Sequence, residues 1–217
     1  MKIRVLVADD HAIIREGLCI MLDNQPDMEV IGKAANGREA VRLVNELKPD
    51  VVVIDISMPE LNGIEAIQQM LPPHPQMKVV VLSIHGTKPY VLRALKSGAK
   101  GYLMKETAGL EVVDAVRAVY RGERYLSQSI ADLLADGYLR NLEASLEFSP
   151  LETLSPRERE ILQLVAEGKT SQEIAQRLSI SSKTVDTYRS RLMRKIGVED
   201  MAGLIKFAIQ HGVISLE

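Results

Sequence analysis

The stretch Val51 to Pro59, VVVIDISMP, restricts this chain most severely. Its first four residues are all β-branched, with Pro49 and Asp50 before them and Ser57, Met58 and Pro59 close behind. A run this short between turn-forming residues is too brief for a buried helix and reads as a strand buried on both faces. Asp55 closes that strand. A lone carboxylate is costly to bury, so the position points either to a solvent-reached site shared with a cation or to an Asp that caps the following turn.

Other strand-like runs end in the same manner. Lys2 to Ala8 (KIRVLVA) runs into Asp9 and Asp10, Lys78 to Ser83 (KVVVLS) ends in a hydroxyl, and Gly101 to Lys105 (GYLMK) ends in an ammonium group. Helical patterns lie between them. His11 to Asn24 sets Ile13, Ile14, Leu18, Met21 and Leu22 on one face, Gly37 to Leu47 does so with Ala40, Val41, Val44 and Leu47, and Leu110 to Val119 repeats the theme. This alternation predicts an α/β domain with a five-stranded parallel sheet covered by helices on both faces. Should the strands ending at Asp10 and Asp55 lie side by side, three carboxylates converge. Their repulsion would be relieved by proton uptake or by a hard divalent cation.

Composition narrows the class. A length of 217 residues allows one large domain or two modest ones, and 46% hydrophobic with 26% charged residues is ordinary for a globular protein. The single Cys19 excludes an internal disulfide, and its neighbours Leu18, Ile20 and Met21 predict a buried, inert thiol. No apolar run approaches the roughly 18 residues of a membrane span, and acidic residues stand where a signal peptide would keep its apolar region. A cytoplasmic location without a membrane partner is expected.

After Gly122 the alternation lapses. Residues 123–150 read as a linker, helical from Gln128 with Ile130, Leu133, Leu134 and Tyr138, then loose through SLEFSPLETLS. From Ser155 the period is helical throughout: Ser155, Pro156 and Glu158 make a capping box ahead of Ile161, Leu162 and Val165, and Gly168 ends that helix. SQEIAQRL, the turn SISS and a helix from about Ser182 to Ile196 follow as a helix-turn-helix candidate. That last helix carries Lys183, Arg189, Arg191, Arg194 and Lys195 against Asp186 alone, a positive patch suited to nucleic acid. At about 100° per residue, Val185, Leu192 and Ile196 share the inward face, Tyr188 flanks them, and Lys183, Asp186, Thr187, Ser190 and Arg194 lie opposite. Asp186, Thr187 and Ser190, with Thr184 beside them, are placed for base edges, and Lys183, Arg191, Arg194 and Lys195 for phosphates. Asp186 either accepts from a cytosine amino group or serves its own helix dipole. A final helix, about Asp200 to Gln210, offers Met201, Leu204, Ile205 and Ala208 to the core or to a partner.

The set Asp9, Asp10, Asp55 in DISMP, Ser83 and Lys105 resembles the receiver domain of bacterial response regulators over residues 3 to about 122. The stretch LSPREREILQLVAEGKTSQEIAQRLSISSKTVDTYRSRLMRKIGV is similar to the DNA-binding domain of the NarL/FixJ (LuxR-type) regulators over nearly all of 151–217. The resemblance implies a flavodoxin-like sheet of strand order 2-1-3-4-5 followed by a small all-α domain. It implies phosphorylation of Asp55 by a sensor histidine kinase, with Mg²⁺ held by Asp10, Asp55 and the Ser57 backbone carbonyl, helped by Asp9. Lys105 would neutralise the transferring group, Ser83 would bond it on arrival, and Tyr102 would move inward behind Ser83 unless it is plain core. His85 and Ser57 could border the phosphoryl group, His85 reading otherwise as an exposed bystander. Double-stranded DNA and a second copy of the chain are implied partners, with RNA polymerase a further candidate. An aspartate-nucleophile phosphatase is the rival class, but it needs a second Asp at position 57, where this chain has Ser. Control by something other than phosphate is a third option, against which the complete Asp9, Asp10, Asp55, Ser83 and Lys105 set argues.

Overall fold

A computed structural model describes residues 2–141 and 150–214, and only the backbone of 136–141. The chain divides after residue 144 into two compact units. In the first, β1 (Ile3–Ala8), α1 (Ala12–Asp23), β2 (Met28–Ala34), α2 (Gly37–Leu47), β3 (Val51–Asp55) and α3 (Gly63–Met70) lead into β4 (Lys78–Ser83), α4 (Lys88–Lys96), β5 (Gly101–Met104), α5 (Ala108–Tyr120), β6 (Tyr125–Leu126) and α6 (Gln128–Asn141). The strands form one parallel sheet of order β2-β1-β3-β4-β5-β6. Alternate residues feed opposite faces. Leu6, Val52, Ile54, Val79, Val81 and Tyr102 pack with α2, α3 and α4, and Val5, Val7, Val53, Val80, Leu82 and Leu103 pack with α1 and α5.

Two expectations need correction. The sheet has six strands, not five: Tyr125 donates its N–H to the Lys100 carbonyl and Ser127 to that of Tyr102, which covers backbone groups on the open edge of β5. Two residues are too few to show a strand period, so this strand was not readable. Beyond it, α6 starts at Gln128, buries Ile130 and packs Leu133 and Leu134 into the first unit; Tyr138 and residues 142–149 fall outside the described side chains. Ile13, expected inside, is 89% exposed. The inner face of α1 is Ile14, Leu18, Cys19 and Leu22, and Ile13 stands about 140° around the helix from Leu18. Cys19 is buried as expected, and burial pushes its thiol pKa up.

The loop after β3 is held from both sides. A Cβ on Gly63 would collide with the Asp55 carbonyl oxygen, and one on Gly37 with that of Leu61. Gly63 also donates its N–H to the Ile56 carbonyl at 2.9 Å, and the Asn62 side chain caps α3 by accepting from Glu65 N–H. Asp55 therefore enters a loop with little room to shift.

The second unit begins with a 3₁₀ turn, Pro150–Thr153, and continues as α7 (Pro156–Ala166), α8 (Ser171–Leu178), α9 (Ser182–Ile196) and α10 (Met201–Gln210). The capping box of Ser155 and Glu158 is formed, and Thr170 and Glu173 make a second one at the start of α8. Ile161, Leu162, Ile174, Leu178, Val185, Leu192, Leu204 and Phe207 meet in a separate core.

Two glycines should answer oppositely to alanine. Gly17, inside α1 with open space at its Cβ position, should gain about 0.5–1 kcal/mol as Gly17→Ala. Gly63→Ala should lose about 2 kcal/mol or more, since the obstruction is backbone. Urea unfolding of the two variants checks both signs.

Candidate functional site

Strand pairing creates the first site. Ala8 of β1 lies opposite Ile54 of β3, so the residues that follow or close these strands, Asp9 and Asp55, sit side by side at the carboxyl edge of the sheet. Ligand atoms of Asp9, Asp10, His11 and Asp55 lie within 4.8 Å of one another. Asp9 is 0% and Asp55 1% exposed. From the end of β5, Lys105 bridges them, its Nζ 2.7 Å from Asp55 Oδ2 and 2.9 Å from Asp9 Oδ2. Asp55 Oδ1 accepts from the Ser57 N–H at 3.2 Å, and Asp9 Oδ1 from the His11 N–H at 2.8 Å.

Burial is the largest influence on Asp55 and pushes its pKa up, against the pull of Lys105. Burial also works downward on Lys105, yet the adjoining carboxylates overcome it and leave its pKa raised. Asp9 Oδ2 and Asp10 Oδ1 are buried without a hydrogen bond, although cationic or potentially cationic groups stand near them, Lys105 by the first and His11 at 2.8 Å from the second. Buried carboxylate oxygens with unfilled acceptor capacity, crowded at one strand end, fit a hard divalent cation.

Behind the acids, Ser83 is fully buried and its hydroxyl oxygen accepts from the His85 N–H at 2.9 Å. Tyr102 already points inward at 0% exposure, and its hydroxyl donates to the His85 carbonyl at 2.6 Å. The inward position expected only after a switch is the one observed. Burial raises the Tyr102 pKa, so the phenol stays a donor. His85 is half-buried rather than exposed, stacks on Tyr90 with ring centroids 4.4 Å apart, and burial lowers its pKa. The structure also brings His11 into the acidic cluster, which the sequence reading left out. Its only signal was direct adjacency to Asp9 and Asp10.

In the second unit α9 follows the wheel. Val185 and Leu192 are buried, Ile196 and Tyr188 pack against the same core, and Lys183, Asp186, Thr187, Ser190, Arg191 and Arg194 are exposed. Thr184 is half-buried and shares a hydrogen bond with Ser181. Lys195 is exposed but occupied, with Nζ 2.7 Å from Glu158 Oε2 and 3.3 Å from the Thr153 carbonyl. Burial is the largest effect on Glu158, but bonds from Lys195 and Ser155 more than offset it and hold its pKa low. Asp186 accepts from the Ser171 hydroxyl at 2.7 Å, a link between α8 and α9 that no spacing in the sequence announces.

A doubly covered parallel sheet with an acidic, lysine-bridged carboxyl edge, joined to a helix-turn-helix unit, defines a response regulator. The family comparisons agree: the response regulator receiver domain matches residues 5–117, and the luxR family of bacterial regulatory proteins matches 152–208. Response regulator GacA of Pseudomonas viridiflava is 38% identical over 212 residues, 98% of each chain. Oxygen regulatory protein NreC of Staphylococcus carnosus is 35% identical over 214 residues, 97% of this chain and 99% of that one. Among solved structures, a LuxR-family response regulator from Aurantimonas sp. SI85-9A1 aligns with TM-score 0.62 at 32% identity over 64% of this chain and 99% of its own. The two-component response regulator RcsB in complex with DNA aligns with TM-score 0.60 at 26% identity over 97% and 99%. The chain belongs to the two-component response regulators of the NarL/FixJ (LuxR-type) family, DNA-binding regulators of transcription rather than enzymes.

Two measurements follow from these contacts. The folded-state pKa of Asp55 lies above its unfolded value, so its ionisation costs stability, progressively more as pH rises from about 4. In EDTA, Asp55→Asn should melt above wild type at neutral pH, with a smaller gap toward pH 4, by calorimetry. Lys195→Met should destabilise the C-terminal unit by about 1–2 kcal/mol because Glu158 loses a partner, whereas Arg191→Ala should stay within about 0.5 kcal/mol in the same denaturant titration.

Proposed function

We propose that this chain takes a phosphoryl group from a sensor histidine kinase onto Asp55 and that the modified receiver licenses the C-terminal unit to bind operator DNA. The observation that carries the reading is the convergence of Asp9, Asp10 and Asp55 with Lys105 in front of the buried Ser83. One carboxylate oxygen of Asp55 attacks the phosphorus of the kinase phosphohistidine, the P–N bond breaks, and the imidazole nitrogen keeps the electron pair. Lys105 follows the incoming oxygens with its charge, and Ser83 turns its hydroxyl from the backbone toward them. Asp10, Asp55 and the Ser57 carbonyl, helped by Asp9, are the groups that would hold Mg²⁺. When bound, the ion supplies neutralisation of the phosphoryl oxygens.

The working division is a receiver at 1–122, a partly helical linker at 123–150 and a LuxR-type helix-turn-helix domain at 151–217. Strand β6 and α6 then form the part of the linker that packs on the receiver. Tyr102 and His85 relay the state of Ser83 to the segment before α4, biasing a two-state equilibrium. On α9, Lys183, Thr184, Asp186, Thr187, Ser190, Arg191, Arg194 and Lys195 form the DNA-binding set, Lys195 after leaving Glu158. RcsB has been captured on DNA as dimers. For this chain the active form is a homodimer on two-fold sites, working in the cytoplasm with RNA polymerase as a further partner. No described helix is long and apolar enough to cross a membrane.

Binding to a genomic promoter fragment selected by the protein tests the reading, with and without acetyl phosphate and Mg²⁺. Wild type should gain about tenfold or more in affinity on phosphodonor treatment, and Asp55→Ala and Lys105→Ala should gain less than about twofold. Equal affinity in every condition would remove phosphoryl control and leave DNA binding.

A further inference from the structure

We infer that Ser171 is a positioning residue for DNA sequence recognition, holding the Asp186 carboxylate so that one operator position must present an exocyclic amino group, cytosine N4 in the first instance. The inference rests on the reading of α9 as the recognition helix and names what that helix would select.

The hydroxyl hydrogens of the reading face are already committed. Thr187 donates its hydroxyl to the Lys183 carbonyl at 2.9 Å, and Ser190 donates its own to the Asp186 carbonyl at 2.9 Å. Their oxygens still offer lone pairs. Asp186 is a carboxylate and can only accept. Between the flanking cations the middle of α9 is therefore a patch of acceptors, and the bases complementary to acceptors are those showing amino groups in the major groove.

Asp186 is also held in place from another helix. Its Oδ1 accepts from the Ser171 hydroxyl at 2.7 Å, while Arg189, one turn on, is 4.0 Å away. Among the described residues Oδ2 has no partner. Ser171 is half-buried at the first position of α8, where the reciprocal Thr170 and Glu173 cap fixes the backbone. An exposed carboxylate on a DNA-facing helix would otherwise turn away from approaching phosphates. Anchored through Oδ1, it keeps Oδ2 available before DNA arrives, so less ordering cost attends recognition.

A simpler role, a staple between α8 and α9, would affect stability but not base choice. The test is selection from a randomised duplex library by the full chain with acetyl phosphate and Mg²⁺, followed by sequencing, for wild type, Ser171→Ala, Ser171→Thr and Asp186→Asn. Wild type should show one position per half-site with strong preference for cytosine. Ser171→Ala should weaken that preference by about fivefold or more while leaving other positions within about twofold, Ser171→Thr should restore it, and Asp186→Asn should change the same position. A Ser171→Ala variant with a lower melting temperature and unaltered preferences would overturn the inference. Wild-type selection of DNA without such a position would also overturn it while leaving DNA binding intact, and failure to select any DNA would remove both readings.

Discussion

The bridge from Lys105 to Asp9 and Asp55 is the interaction on which the receiver site depends. Carboxylates crowded into a nearly dry corner cannot all stay charged without compensation, and the ammonium group is the compensation the protein itself supplies. It arrives from β5, two strands away from β3, so the charge balance requires the whole parallel order β1-β3-β4-β5 to be in register. The glycines at 37 and 63 serve the same end, since they let the loop that follows Asp55 close against β3 and α2.

The segment after β4 ties this corner to the far edge of the sheet. Ser83 accepts from His85 N–H, the His85 carbonyl accepts from Tyr102, and the His85 ring stacks on Tyr90 at the start of α4. Gly86 lies against Met104 and near Ile130, the buried anchor of α6. A change at Ser83 and a change in the seating of α6 thus act on the same few residues. The acidic site and α6 therefore meet through one shared segment.

In the C-terminal unit the polar groups sort by whether they are already satisfied. Lys195 and Glu158 form a half-buried pair that secures α9 to the start of α7, whereas Arg191 and Arg194 remain exposed cations. Asp186 belongs to neither class. One of its oxygens is tied to α8 through the Ser171 hydroxyl, a link between helices that neither the helix dipole nor the spacing of residues along α9 would produce alone.

By itself the sequence determined the alternation of buried strands and amphipathic helices, the acids at the ends of β1 and β3, the cap of α7 and the inward residues Val185 and Leu192. Each follows from local periodicity or from side-chain chemistry at an element's end, which act over a few residues. Tertiary structure decided the rest: the reach of Lys105 across strands, the place of His11 beside the acids, the inward seat of Tyr102, the exposure of Ile13, the two-residue β6 and the hold of Ser171 on Asp186. These depend on distances between elements far apart in the chain or on strand edges that become apparent only when the sheet is assembled, and no periodicity records them.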